Sequence, residues 1–139
     1  MDPRSRALFL LLIAAQAAHS VEEYAFRLYD VLAPARAISE TVGFGDRPVG
    51  FAVFNAALVL FGLWCWVARV RPGRRGARSL AWFWALLEAA NGVGHVMFAI
   101  EVGGYFPGLA TTGVLLPASG ALLWRLFRRQ SGAQPSNGS

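Results

Sequence analysis

Three ionisable side chains, His19, Glu22 and Glu23, interrupt an apolar stretch near the start of the chain. A charged side chain near the middle of a bilayer costs roughly 2.5 to 3.5 kcal/mol on insertion scales, so such residues usually face a partner or a cavity. Imidazole and carboxyl groups are also the commonest general acids and bases of enzymes. The combination predicts a buried site that handles a proton or a metal ion.

A second polar group lies in a later apolar stretch and consists of Glu88, Asn91 and His95. These residues are three and four positions apart, so on a helix they fall within about 60° of arc and share one face. The three residues of the first group share a helix face for the same reason. We therefore expect two polar faces that meet between two helices.

Two kinds of chemistry fit these residues. In acid–base catalysis, all six act on a lipophilic substrate, and isomerisation, cyclisation and epoxide opening are compatible reactions. In the metal alternative, His19, Glu22 or Glu23, and His95 hold zinc with an open position, or iron through two His and one carboxylate. A di-iron centre fits less well, because its pattern needs four carboxylates and two ExxH motifs.

Composition indicates a membrane protein with one domain over residues 1–130. The chain of 139 residues is 55% hydrophobic and 15% charged, against about 25% charged in typical soluble proteins. Four stretches are long and apolar enough to predict spanning helices that form an antiparallel bundle. They cover about residues 7–31, 49–70, 79–103 and 106–127.

The arginines predict the orientation of this all-α bundle. Five of them lie between residues 69 and 78, and others flank the first and fourth helices. Basic segments stay on the cytoplasmic side, which places both termini inside. Because the arginines lie at helix ends and not in an aromatic-lined groove, nucleic acid is not an expected partner. Residues 131–139 are polar and predict a disordered tail.

Depth along the helices brings the two polar groups to one level. At about 1.5 Å per residue, both lie about 15 to 25 Å from the cytoplasmic end of their helices. Asn55 on the second helix and Thr111 on the fourth reach a similar level, and we expect them to bind substrate. Gly92 and Gly94 would let a neighbouring helix approach closely. The sequence thus predicts a polar pocket between the first and third helices.

The polar residues also form recognisable motifs. The first group reads HxxEE, Asn91 and His95 read NxxxH, and Pro107-Gly108 with Thr111 reads PGxxT. With these motifs the chain resembles the small bacterial membrane proteins that are named after their HXXEE motif, over nearly the whole sequence. The resemblance implies a protein that spans the inner membrane of a bacterium several times, and it implies no particular reaction.

Three functions follow as alternatives. An intramembrane enzyme would act on a lipophilic small molecule with the groups described above. A small transporter would bind a proton or a cation at an intramembrane glutamate and would form a homodimer. In a non-catalytic protein the polar groups would only join helices, at about 0.6 kcal/mol per contact. In each case the lipid bilayer is the first partner.

Overall fold

Helices dominate the computed structural model, which describes residues 1–131, and no strand occurs within that range. α4 continues into a π-helical turn, Trp66–Val70. The tail predicted over 131–139 lies outside the described residues except for Ser131, at which the last helix ends. The helices are α1 Pro3–Ala25, α2 Leu28–Val31, α3 Ala33–Val42, α4 Arg47–Cys65, α5 Ala77–Val102 and α6 Leu109–Ser131.

The segment expected as one helix over 7–31 is divided in two. α1 ends at Ala25, and Arg27 adopts a left-handed backbone with φ of 58° before α2 begins. This conformation is uncommon for a residue with a side chain, and here the Arg27 guanidinium binds the Asp30 carboxylate at 2.7 Å. The chain therefore turns after the HxxEE motif instead of continuing as a straight span.

Three helices of the described chain are long and apolar enough to cross a membrane. They are α4 with its π-helical turn, α5, and α6 as far as Arg128. α1 has a sufficient length of 23 residues, but its polar residues, from Gln16 to Glu23, reduce its apolar character. Large apolar side chains such as Val53, Leu60 and Ile100 cover the outer surface, as expected for helices that contact lipid.

α1 is the central helix of the packing, because it contacts α4, α5 and α6. Between α1, α5 and α6 lies the main apolar core, in which Phe9, Leu12, Trp84, Leu115 and Leu122 are fully buried. α4 and α5 share few contacts, so a space remains between them. That space forms the cavity described below.

The arginine-rich end is held together by Asp2, which caps α1. Asp2 accepts hydrogen bonds from Ser5 and pairs with Arg125 of α6 at 2.8 Å. Partial burial alone would raise the pKa of Asp2, but the hydrogen bonds from Ser5 and Arg125 outweigh it and hold this pKa well below its usual value. The ion pair fixes the beginning of α1 against the end of α6.

The predicted connection between the first two apolar stretches contains α3, which packs closely on α4. A Cβ placed on Gly50 would lie 1.9 Å from the carbonyl oxygen of Ser39, so only glycine fits there.

The two glycines of α5 differ in their surroundings. A Cβ on Gly92 would lie 2.7 Å from the Leu116 side chain of α6, whereas a Cβ on Gly94 would have no atom within 4 Å. Gly92 thus permits the close approach of α5 and α6 that the sequence indicated, and Gly94 does not contribute.

Candidate buried histidine and glutamate site

His19, Glu23 and His95 converge on one point in the interior. The Oε1 atom of Glu23 lies 3.3 Å from Nε2 of His19 and 3.0 Å from Nε2 of His95. The residues are 0%, 6% and 3% exposed, respectively. The two imidazoles pack edge to face, with centroids 4.6 Å apart and planes at 89°. One nitrogen or oxygen atom from each residue lies within 4.8 Å of the other two, so the three residues could bind one metal ion jointly.

Thr111 fixes the orientation of His19 from behind. Its Oγ1 atom lies 2.7 Å from Nδ1 of His19 and also donates a hydrogen bond to the Glu22 carboxylate. An ionised carboxylate can only accept, so the single hydroxyl proton of Thr111 is directed to Glu22. The hydroxyl oxygen then accepts from Nδ1–H of His19. In a neutral imidazole this network places the ring proton on Nδ1, and Nε2 then faces Glu23 with a lone pair.

Glu22 binds the beginning of α6 rather than the histidines. It accepts four hydrogen bonds, from the backbone amides of Ala110 and Thr111 at 2.9 and 2.7 Å, from the Thr111 hydroxyl and from Tyr105. The first amides of a helix have no partner within the helix and attract negative charge. Partial desolvation and the Glu22 carboxylate raise the pKa of Tyr105 to about 12, which keeps the phenol a donor.

Gly108 forms the wall of the site opposite Glu23's helix. Its φ is +94°, and a Cβ there would lie 2.7 Å from Cε1 of His19 and 2.7 Å from Cε1 of His95. The backbone of the loop before α6 therefore lies directly on the two imidazole rings. This contact positions both rings from outside the trio, and Thr111, which Glu22 holds, adds a second contact to His19 alone.

A cavity of about 380 Å³ adjoins the trio between α1, α3, α4 and α5. Glu23 belongs both to its lining and to the trio. Glu88 is 1% exposed, and no hydrogen-bond partner among the described side chains reaches its Oε2 atom. Apolar side chains line most of the remaining surface. The polar lining residues are Gln16, Glu23, Ser39, Asn55, Glu88 and Asn91, and the larger apolar ones are Leu28, Ile38, Phe51, Phe54, Leu58 and Leu87.

A chain of hydrogen bonds joins α1 to α4 at this cavity. Gln16 donates to Ser20 at 3.1 Å, Ser20 donates to the Asn55 carbonyl at 2.8 Å, and Asn55 donates to the backbone oxygen of Phe51 at 3.1 Å. Asn55 therefore has partners within the protein and one amide hydrogen left for a ligand. Sequence reasoning missed Ser20, although its position next to His19 on a polar helix face was a usable signal.

The structure separates the predicted site residues into three places. His19, Glu23 and His95 form the trio, whereas Glu88, Asn91 and Asn55 line the cavity. Glu22 and Thr111 lie behind His19, and neither belongs to the cavity lining. Thr111, expected to bind substrate, contacts His19 and lines a different cavity together with Glu22 and Tyr105. Tyr105 was missed as a site residue because a loop tyrosine carries no signal of its own.

The fold and the site define a class: an all-helical protein with helices apolar enough for a membrane and a buried group of two histidines and a glutamate. The family described as "Protein of unknown function with HXXEE motif" matches residues 10–122. The chain belongs to this family, and the motif residues His19, Glu22 and Glu23 lie within the matched range. No curated protein and no solved structure matches the chain.

Proposed function

We propose that this protein is an intramembrane enzyme that acts on a lipophilic small molecule by acid–base chemistry. One observation carries the proposal. A largely apolar cavity of about 380 Å³ contains a buried carboxyl group, that of Glu88, with an oxygen that no described side chain satisfies. Cavities of this size with a few convergent polar groups are the usual form of small-molecule sites.

The proposal places α1 in the membrane as a fourth span beside α4, α5 and α6. Its polar side chains Gln16, His19 and Glu23 are all buried, whereas Leu11 and Val21 are exposed on its outer face. Burial among partners removes most of the cost of polar groups at membrane depth. The arginine-rich segments then lie together with both termini on the cytoplasmic side of a bacterial inner membrane.

Access from the bilayer follows from the walls of the cavity. Phe54 of α4 and Ile38 of α3 line it and are about 40% exposed on the outer surface, and Leu87 of α5 is 37% exposed. A lipophilic substrate enters between these helices without crossing water. Its apolar body contacts Phe54 and Leu87, and its polar group reaches Glu88 and Asn91 at the inner end.

Glu88 is the group that exchanges a proton with the substrate. Its carboxyl group lies within reach of the Asn91 side chain, which can hold a substrate oxygen, while its Oε2 atom stays available. A positioned carboxyl group typically contributes 10²-fold to 10⁴-fold to the rate of such a reaction. The trio lies next to this position and acts on the other side of the substrate.

The test compares lipid extracts by mass spectrometry. Cells that express the wild type are compared with cells that express Glu88→Gln or the control Glu101→Gln, a change at an exposed site near the end of α5. We expect the wild type and the control to change the same lipophilic species, and Glu88→Gln to change none. Identical extracts from all cells, with and without the protein, would contradict the proposal.

The same comparison separates an enzyme from a small transporter. A transporter redistributes a compound between cells and medium, but it leaves the set of molecular masses unchanged. New masses that depend on Glu88 therefore support catalysis, whereas altered distribution alone, together with proton-dependent uptake into proteoliposomes, would support transport.

A further inference from the structure

We propose that His19, Glu23 and His95 bind one divalent first-row transition-metal ion and leave one coordination position open towards the cavity. The ion would be held by Nε2 of each histidine and by the Glu23 carboxylate. This inference adds a metal centre to the enzyme proposed above, but it does not depend on the reaction, because metal binding is measured directly.

The distances agree with such a centre. A tetrahedral zinc ion with bonds of about 2.0 to 2.1 Å separates its ligand atoms by about 3.3 Å. The Glu23 oxygen lies 3.3 Å from Nε2 of His19 and 3.0 Å from Nε2 of His95. Two histidines and one carboxylate are also a known ligand set of catalytic zinc and of non-haem iron.

The tautomer of His19 supplies independent support. Because Thr111 accepts the proton on Nδ1, Nε2 of a neutral His19 presents a lone pair to an oxygen of Glu23 that is also an acceptor. No described side chain makes a hydrogen bond to this fully buried Nε2 atom. Two acceptors that face each other in a dry interior need a proton or a metal ion between them, and the Co²⁺ titration below distinguishes the two. A metal ion satisfies both at once.

The surroundings of His19 also match those of a metal ligand. A metal-bound histidine usually passes its other N–H to a carboxylate or another acceptor, which fixes the ring. Here Nδ1 of His19 contacts the Thr111 hydroxyl, which in turn contacts the Glu22 carboxylate. The half-buried Glu22 carboxylate adds a second negative charge behind His19, so Glu22 and Glu23 together balance one dication.

An open position is expected on the side of Glu23, because this residue also lines the cavity. Catalytic zinc sites have three protein ligands and an open fourth position, whereas structural sites are closed by four. A metal ion bound there would polarise an oxygen of a substrate or lower the pKa of bound water. Glu88 lies in the same cavity and remains available to transfer the proton.

The experiment measures metal content and cobalt binding of the full chain in mild detergent. Elemental analysis comes first, and then Co²⁺ is titrated into chelator-treated protein while its visible absorption is recorded. We expect one ion per chain for the wild type and for Glu101→Gln, and less than a tenth of the Co²⁺ affinity for Glu23→Gln and His95→Asn. Absence of bound metal in the wild type after Zn²⁺ or Co²⁺ addition, or unchanged binding in both variants, would overturn the proposal.

A second series tests the hydrogen bond behind His19 with smaller changes. Thr111→Val should weaken Co²⁺ binding by about 10-fold to 100-fold, the usual effect of losing such a partner. Thr111→Ser keeps the hydroxyl and should restore binding. Thr41→Val is the matched control, because the hydroxyl of this exposed residue also bonds a helix carbonyl, that of Ala37, and Thr41 does not line the cavity. If both valine variants bind Co²⁺ like the wild type, the tautomer argument is wrong.

Discussion

Alanine at position 108 would place a methyl group against both imidazole rings. The Cβ atom would lie 2.7 Å from Cε1 of His19 and of His95, closer than real Cβ atoms approach other atoms, and φ at this position is +94°. Forcing a residue with a Cβ into a left-handed conformation costs roughly 1 to 2 kcal/mol. Overpacking a buried contact adds typically about 1 to 3 kcal/mol. We therefore expect Gly108→Ala to destabilise the protein by about 2 to 5 kcal/mol.

The measurement is the melting temperature in detergent, followed by tryptophan fluorescence. For a chain of this size about 1 kcal/mol corresponds to roughly 3 °C, so the expected decrease is about 6 to 15 °C. Two other glycines separate the causes. Gly103 has φ of +66° and open space around a Cβ, so Gly103→Ala shows backbone strain alone. Gly94 lies in α5 with open space, so Gly94→Ala should be neutral or stabilising by about 0.5 to 1 kcal/mol.

The comparison of Gly108→Ala with Gly103→Ala decides whether contact with the histidine rings requires glycine at position 108. If Gly108→Ala melts at the same temperature as Gly103→Ala, the loop does not pack closely on the histidine rings. The inference that this loop positions the rings is then also wrong. If Gly108→Ala melts well below, glycine is required there by the rings and not by the backbone alone.

Three further predictions concern the rest of the scaffold. Glu22→Gln should lower the free energy of unfolding by about 1.5 to 3 kcal/mol, the value of a hydrogen bond to a charged group. The control Glu101→Gln should change it by less than about 0.5 kcal/mol. Equal melting curves for the two variants would refute the role of Glu22 at the beginning of α6. Gly50→Ala should lower the free energy of unfolding by at least about 1 to 3 kcal/mol, because α3 must move away from α4. Gly113→Ala, which has open space around its Cβ, should have no such effect. Thermal melting followed by circular dichroism distinguishes the two variants. The depressed pKa of Asp2 adds to the free energy of unfolding above the usual aspartate pKa near 4, and this contribution is lost as the pH falls below that value. Between pH 6 and pH 2, the melting temperature of Asp2→Asn should therefore fall less than that of the wild type. Parallel curves of melting temperature against pH would contradict this role of Asp2.

The convergence of His19 and His95 could be predicted from the sequence. Helical phase and distance from the arginine-rich end place both on facing surfaces at one level, and the structure brings them to the same carboxylate oxygen. Glu22 shows the limit of that reasoning. Its phase allowed a place beside His19, but the amides of α6 compete for its charge, and no spacing in the sequence indicates which helix end comes near.

The turn at Arg27 could not be read from the sequence, because left-handed residues are usually marked by glycine or asparagine. The apolar run continues through Phe26 and Leu28 and therefore predicted one long helix. The role of Gly108 was equally hidden. The PGxxT motif is present in the sequence, but only the structure shows that a glycine at position 108 leaves room for the two imidazole rings.

The wide separation of the site residues along the chain has a consequence for biosynthesis. α1 is made first and carries the HxxEE motif, but its partners His95 and Thr111 lie 76 and 92 positions later. During synthesis the HxxEE motif therefore has neither of these partners while α4 and the arginine-rich turn are made. Chains interrupted before α5 would lack the contact of Glu23 with His95 and the two α6 amides that bind Glu22. The site is complete only when the last helix has reached α1.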